Sequence, residues 1–104
     1  MSAQATAALD VGLLRLLADP TRARIVELLA AEQLCTCHLV GELGATQSGV
    51  SNHLRLLRDA GLVSTEPHGR FTYYRLEPVA LEHLAEQLGS LAGDATTQQR
   101  RRPC

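Results

Sequence analysis

Residues 45–63 read ATQSGVSNHLRLLRDAGLV, a stretch that combines an apolar face with an unusual polar face. Val50, Leu54 and Leu57 recur at the spacing that places side chains on one side of an α-helix. The other side carries short hydrogen-bonding groups at its start and arginines further along, namely Gln47, Ser48, Ser51, Asn52, Arg55 and Arg58. Such groups suit the base edges and phosphates of a nucleic acid. Taken alone, the stretch is equally compatible with an exposed amphipathic helix that has no partner.

The residues around this helix predict a helix-turn-helix followed by a β-hairpin. Gly44 is expected to end the preceding helix, because glycine readily adopts the left-handed conformation found there, and Thr46 is the predicted N-cap of the next helix. The segments 62–66 and 71–76 are rich in β-branched and aromatic residues, which predicts two strands. Residues 67–70 provide a turn with a basic tip. The pattern therefore predicts a wing beside the second helix of a helix-turn-helix.

The rest of the chain reads as three further helices and a tail. The first six residues are expected to be frayed, and a leucine stripe then marks the first helix at Leu9, Leu13, Leu16 and Leu17. Asp19-Pro20 restarts the chain as a second helix that ends near Ala31. Leu81, Leu84, Leu88 and Leu91 form a seam on the last helix, which packs either on the first helix or on a second copy. The predicted folded domain spans residues 1–92, and residues 93–104 are predicted to be a flexible tail.

Composition limits the class of protein. A chain of 104 residues with 45% hydrophobic content supports one modest core, and only three of its residues are aromatic, which favours a mainly α fold. The net charge is −1, so a basic surface has to come from local clustering, and residues 46–75 do carry a local excess of arginine. We see neither an apolar run of about 18 residues nor a secretion leader, so we expect a cytoplasmic protein without membrane contact.

Two of the three cysteines, Cys35 and Cys37, precede the third helix, which is predicted over residues 38–43. They are too close in sequence for a relaxed structural disulfide, so they are interpreted as thiols available for metal or redox chemistry. There is a geometric objection to a shared ion. In a regular helix, residues two apart point about 200° away from each other. Both thiols can hold one ion only if this turn is irregular or unwinds on binding.

Four segments in this order resemble the ArsR/SmtB family of metal-responsive transcriptional repressors. They are residues 17–22 (LADPTR), 32–39 (EQLCTCHL), 47–54 (QSGVSNHL) and 69–76 (GRFTYYRL). The resemblance implies a mainly α winged helix-turn-helix with a small β-hairpin, in which four helices precede the hairpin and a fifth follows it. It also implies a homodimer through the first and fifth helices that binds a palindromic operator in double-stranded DNA.

A helix in the major groove contacts base edges with its N-terminal residues, which nominates Gln47, Ser48, Ser51 and Asn52. Arg55 lies one turn beyond and is expected to reach a guanine or a phosphate. At the wing tip, Arg70 is the principal candidate for a minor-groove or phosphate contact, and His68 is a second candidate. Two neighbouring residues have other predicted roles. His53 is either a packed histidine or a phosphate contact, and Arg58 is expected to form an ion pair with Asp59 or Glu66.

The cysteine pair resembles the thiolate site of the family's arsenic and soft-metal sensors. Thiolates suit As(III) and Sb(III), and also Cd(II), Pb(II) or Zn(II). Because As(III) prefers three thiols, Cys104 is the candidate third ligand, with an idle terminal thiol as its alternative. His38 is expected to be a surface residue or, less favoured, a nitrogen ligand.

The family's second metal site, on the fifth helix, is not expected, because Pro78 and Ala80 occupy its early positions and cannot bind a metal. His83 and Glu86 on that helix are interpreted as a solvated face. Two other functions stay open: a thiol redox switch or small thiol enzyme, and a DNA-binding protein whose cysteines sense nothing. No base and nucleophile arrangement is visible, so we do not expect an enzyme.

Overall fold

The computed structural model describes residues 8–104, and this part of the chain forms five helices and three strands. In chain order they are α1 (Val11–Ala18), α2 (Pro20–Ala31), β1 (Leu34–Cys35), α3 (Thr36–Leu43), α4 (Gln47–Asp59), β2 (Val63–His68), β3 (Phe71–Leu76) and α5 (Pro78–Thr97). The predicted mainly α fold with four helices, a hairpin and a fifth helix is confirmed. The predicted frayed N-terminus lies outside the described residues. Among residues 8–104, no helix is both long and apolar enough to cross a membrane.

Side-chain caps fix the starts of three helices. Asp10, Asp19 and Thr46 each accept a hydrogen bond from a backbone N–H three residues ahead, at 3.0–3.1 Å. Pro20 follows Asp19 at the first helical position, where its missing N–H has no partner to lose. Gly44 ends α3 with φ +62° and donates its N–H to the Val40 carbonyl. The predicted turn between α3 and α4 is thereby confirmed.

The sheet contains one strand more than the sequence predicted. Its strand order is β1-β3-β2 with antiparallel pairing throughout, and β1 places Leu34 opposite Tyr74 and Cys35 opposite Tyr73. The hairpin turn is tighter than predicted, because β2 runs on to His68 and leaves Gly69 (φ +65°) and Arg70 as the connection. β1 holds the first cysteine against the wing, so the thiol segment and the wing belong to one sheet.

The core is formed by completely buried aliphatic side chains of α2, α3, α4 and the segment entering β2: Ile25, Leu39, Val50, Leu54, Leu57 and Leu62. Leu13 of α1 and Leu84 of α5 close it from the outside. Burial of Val50, Leu54 and Leu57 confirms the predicted inner face of α4. That burial leaves the polar side of the same helix at the surface.

α5 uses its leucine seam in two ways. Leu84 is buried and Leu81 packs against the core, whereas Leu88 and Leu91 are 47% and 42% exposed in the protomer. The first half of the seam therefore packs on this chain, and the second half stays exposed among residues 8–104. The helix also continues to Thr97, beyond the predicted domain end at residue 92. The flexible tail stays a prediction for the residues that follow.

Candidate nucleic-acid interface and thiol site

α4 presents its predicted polar face to solvent. Gln47, Ser48, Ser51, Asn52 and Arg55 are all exposed, and none of them contributes to the core. Thr46 Oγ1 caps the helix by accepting the Gly49 N–H at 3.1 Å. The cap that orders the first turn therefore comes from Thr46, and the side chains of the outer face stay at the surface.

Arg55 is pre-oriented on this face by two neighbours. Its Nη2 donates to Asn52 Oδ1 at 2.7 Å, and its Nη1 lies 3.6 Å from Asp59 Oδ2. The predicted ion pair of Arg58 is wrong, because Asp59 pairs with Arg55 and Glu66 pairs with Arg75 at 3.5 Å. Residues four apart on a helix face each other, whereas Asp59 follows Arg58 directly and points away from it.

His53 is a packed residue on the inner edge of α4. Its Nδ1 lies 3.2 Å from Nη1 of Arg22, and both side chains are partly buried. Of the two roles left open for His53, the structure shows packing. A phosphate contact stays a prediction.

At the wing tip, the two basic candidates differ in their surroundings. His68 stacks edge-on against Tyr73 with 5.0 Å between ring centroids, and its Nε2 lies 3.9 Å from a Glu66 carboxylate oxygen. Arg70 is exposed and forms no salt bridge within residues 8–104. Arg70 is thus the cation at this tip that is available to a phosphate, while His68 is engaged with its own hairpin.

Cys35, Cys37 and His38 form one cluster at the start of α3. The Sγ atoms of the two cysteines and a ring nitrogen of His38 all lie within 4.8 Å of one another, with Cys35 buried and the other two exposed. The geometric objection to a shared ion is removed, because Cys35 is not helical. It is the N-cap of α3, with the extended dihedrals φ −90° and ψ 170°. The helical repeat therefore does not separate the two thiols.

The same cluster caps α3. The Cys35 backbone N–H donates to Nδ1 of His38 at 3.1 Å, and the His38 backbone N–H is directed at the Cys35 sulfur. Cys35 Sγ and His38 Nδ1 are 3.3 Å apart. This reciprocal arrangement is a capping box in which a thiol and an imidazole replace the usual hydroxyl and carboxylate. Two of the three atoms that could bind an ion are therefore also the acceptors that stabilise the first helical turn.

The two thiols differ in acidity. Burial raises the pKa of Cys35, but hydrogen bonds from the Cys37 thiol and from the backbone N–H groups of His38 and Cys37 outweigh it, so this pKa lies below its usual value. The pKa of Cys37 is raised, mainly because its thiol donates to Cys35 and secondarily by burial. A thiolate is the species that binds soft metals. Cys35 is therefore the thiol of the pair that deprotonates first.

Cys104, the predicted third thiol, does not join this cluster in the protomer. The third candidate donor among the described residues is His38, which lies on the same helical turn. Its position one residue after Cys37 was visible in the sequence, but only the extended backbone at Cys35 brings it near both sulfurs. His83 and Glu86 are exposed on α5 and belong to no cluster of potential ligands within residues 8–104.

One cleft joins the thiol cluster to the predicted nucleic-acid face. Its volume is about 370 Å³, and its walls include Cys35 and Cys37, Gln47 at the start of α4, and Arg70 of the wing. β1 produces this arrangement, because its pairing with β3 brings the cysteines beside the base of the wing. A group bound at the thiols would therefore lie next to two of the predicted DNA contacts.

The chain is similar to proteins of one regulatory family. Residues 19–65 match the family model described as bacterial regulatory protein, arsR family. The arsenic resistance transcriptional regulator ArsR1 of Pseudomonas putida is 46% identical over 63 residues, which are 60% of this chain and 49% of that protein. The arsenical resistance operon repressor of Escherichia coli is 42% identical over 71 residues, 67% of this chain and 61% of the repressor. The chain thus spans about half to three fifths of the length of these two relatives.

Two further relatives match over a larger share of this chain and of their own length. The HTH-type transcriptional regulator CmtR of Mycobacterium tuberculosis is 42% identical over 90 residues, 86% of this chain and 74% of that protein. A solved structure described as a possible transcriptional regulator for arsenical resistance shares 36% identity with a TM-score of 0.68, and covers 83% of this chain and 96% of its own. The likeness therefore extends over helices, sheet and wing together.

Proposed function

This chain belongs to the arsR family of bacterial regulatory proteins, and we propose that it is a repressor that leaves its operator when a thiophilic ion binds Cys35 and Cys37. Members of the family are DNA-binding transcriptional regulators and not enzymes. The observation that carries the proposal is the cleft in which the cysteine pair meets Gln47 and Arg70. Binding at the thiols and binding of DNA thus involve neighbouring side chains.

The DNA contacts follow from exposure and from charge. The N-terminal turns of α4 would read base edges in the major groove, and the wing would contact a phosphate or the minor groove. We assign Gln47, Ser48, Ser51 and Asn52 to base edges, Arg55 to a guanine or a phosphate, Arg70 to the wing contact and His68 to a weaker contact beside it. A palindromic operator would engage two copies, with α1 and the exposed half of the α5 seam between them.

We propose As(III) or Sb(III) as the effector, with Cd(II), Pb(II) or Zn(II) as competitors. Arsenous acid, As(OH)₃, can condense with two thiols: two As–S bonds form, two As–O bonds break, and the two thiol protons leave as water with the hydroxyls. The third position keeps its hydroxyl or exchanges it for another donor, for which His38 is present in the protomer and Cys104 is the thiol alternative. The names of two relatives, an arsenic resistance regulator and an arsenical resistance repressor, support this choice.

The capping box supplies the switch. Nδ1 of His38 has a single lone pair, which accepts the Cys35 N–H. If an ion takes that lone pair or draws the Cys35 sulfur away, the first turn of α3 loses its caps. Only Gly44, Ala45 and Thr46 separate α3 from α4. We therefore expect the disturbance to move α4, the reading helix, which carries the proposed base contacts. A tenfold to hundredfold release of DNA needs a coupling free energy of about 1.4–3 kcal/mol, an ordinary allosteric magnitude.

The test uses a DNA duplex that the parent protein selects from a random pool, called here the selected duplex. Binding of the selected duplex is measured while arsenite, Cd(II), Zn(II) or peroxide is added. The proteins compared are the parent, Cys35→Ser, Cys37→Ser and His38→Gln. Gln at this position can still complete a capping box but has no imidazole. Cys104→Ser tests the thiol alternative, because release that survives this substitution leaves His38 or a hydroxyl at the third position. We expect arsenite to release the parent but not the Cys35→Ser or Cys37→Ser variants. Release that survives both substitutions refutes the proposed sensor site.

Thiol oxidation is the second candidate function, favoured by the lowered pKa of Cys35 next to the Cys37 thiol. Peroxide would oxidise the Cys35 thiolate to a sulfenic acid, which would condense with Cys37 to a disulfide with loss of water. The peroxide titration separates the two functions. Release by peroxide when every ion fails would replace the ion sensor by a redox switch.

A further inference from the structure

Arg22 connects three helices through one side chain. Its Nε donates to the Leu16 carbonyl at 2.9 Å, and its Nη1 lies 3.2 Å from Nδ1 of His53. Its backbone N–H donates to Asp19 Oδ2 at 3.0 Å. The contacts thus reach the last turn of α1, the cap of α2 and the middle of α4, and they are partly buried. Carbonyls in the last turn of a helix have no partner within the helix, so the first contact also completes α1.

We propose that Arg22 and His53 are positioning residues for DNA recognition: their contact sets the orientation of α4 relative to α1. The inference rests on the proposed repressor function, in which α1 belongs to the dimer interface. His53 directly follows Asn52 on α4, and its ring is on the side of the helix away from the reading face. A shift at His53 would therefore rotate the predicted base-reading side chains.

The geometry requires one protonation state of the histidine. An arginine side chain only donates hydrogen bonds, so His53 must accept at Nδ1 and carry its proton at Nε2. Protonation of both nitrogens would remove the acceptor and place a second cation against the guanidinium. The charged groups facing the ring are Arg22, which contacts it, and the carboxylate of Asp19, which lies close enough to interact with it electrostatically. Both belong to the start of α2.

A dimer makes this contact relevant to specificity. Two reading helices must enter successive major grooves about 34 Å apart, so each must be held at a fixed angle to the helices that join the protomers. Binding to unrelated DNA depends mainly on phosphate contacts and has no such requirement. Loss of the contact should therefore reduce binding to a two-half-site duplex more than binding to random-sequence DNA.

The variants are chosen to keep shape and remove the acceptor. His53→Leu has no acceptor, whereas His53→Asn offers an oxygen near the position of Nδ1. We expect His53→Leu to lower the ratio of selected-duplex to random-duplex affinity by about tenfold, near the lower end of what a hydrogen bond to a charged group contributes. We expect His53→Asn to restore most of it.

Equal ratios for the parent and His53→Leu would overturn the proposal, as would an Asn variant no better than the Leu variant at matched melting temperature. If the Leu variant does not fold, nitrogen NMR of the parent decides, since a proton on Nδ1 of His53 contradicts the contact. A parent that does not prefer the selected duplex refutes the repressor function, and the NMR result then still tests the Arg22–His53 contact on its own.

Discussion

Arg70→Ala should reduce both the affinity for DNA and its dependence on salt. Each phosphate contact contributes about 0.9 to the slope of log affinity against log salt concentration on duplex DNA. Arg70 is exposed at the wing tip without a salt bridge in the described chain, so its removal should cost about one such contact. Between 50 and 200 mM salt, one phosphate contact changes the affinity by about 3.5-fold. The ratio of the parent's affinity to that of Arg70→Ala should therefore fall by this factor over the same range.

The assay is fluorescence anisotropy of the labelled selected duplex at four or more salt concentrations. Arg24→Ala is the matched control, because Arg24 is exposed on α2 and already paired with Glu27 at 3.5 Å. Arg55→Ala is measured beside them. Asn52 and Asp59 hold the Arg55 side chain. We expect Arg55→Ala to lower the affinity for DNA and to reduce the salt slope by at most the value of one phosphate contact. Unchanged slopes for both Arg55→Ala and Arg70→Ala would refute the assigned DNA face.

Three further outcomes are expected. Gly44→Ala should lower the free energy of unfolding by about 1–2 kcal/mol in urea titrations, because the backbone there has φ +62°. Gly41→Ala, inside α3, should not lower it. Equal effects of the two substitutions would contradict the turn. Leu88→Asp combined with Leu91→Asp should convert a dimer to a monomer in analytical ultracentrifugation, and an unchanged mass would exclude this seam from the interface. The pKa of Asp19 is lowered, chiefly by the hydrogen bond from the Arg22 backbone N–H. The stabilisation that this carboxylate provides is therefore fully present above the usual pKa of 3.8, and it is lost as the pH falls through the lower pKa of the folded state. Asp19→Asn retains a cap that does not titrate, and its stability should therefore fall less than that of the parent in acid unfolding.

The sequence predicts most of the fold because its signals are local. Gly44, Thr46 and Asp19-Pro20 mark helix ends through the chemistry of single residues, and each marks the observed end. The inner face of α4 follows from spacing alone. β1 was missed because two residues are too short to show a period, and their strand conformation depends on pairing with Tyr73 and Tyr74, which lie far along the chain.

The candidate site was predictable in its residue types but not in its geometry. Cys35 and Cys37 stand out by chemistry, whereas the contribution of His38 depends on the extended backbone that β1 imposes on Cys35. The cleft shared with Gln47 and Arg70 likewise depends on the register of β1 against β3. Long-range pairing of this kind leaves no local signal. The sequence therefore suggested that the thiols and the reading helix are close along the chain, and only the structure joins them in one cleft.

The central claim is that ion binding at Cys35 and Cys37 is coupled to DNA binding, and linkage tests it most directly. Coupling between two sites is reciprocal, so the selected duplex must weaken arsenite binding by the same factor by which arsenite weakens DNA binding. Arsenite affinity should be measured calorimetrically on the free protein and on its complex with the selected duplex. The account predicts that arsenite binds the complex about 10- to 100-fold more weakly. Equal affinity for the free protein and for the complex would contradict it.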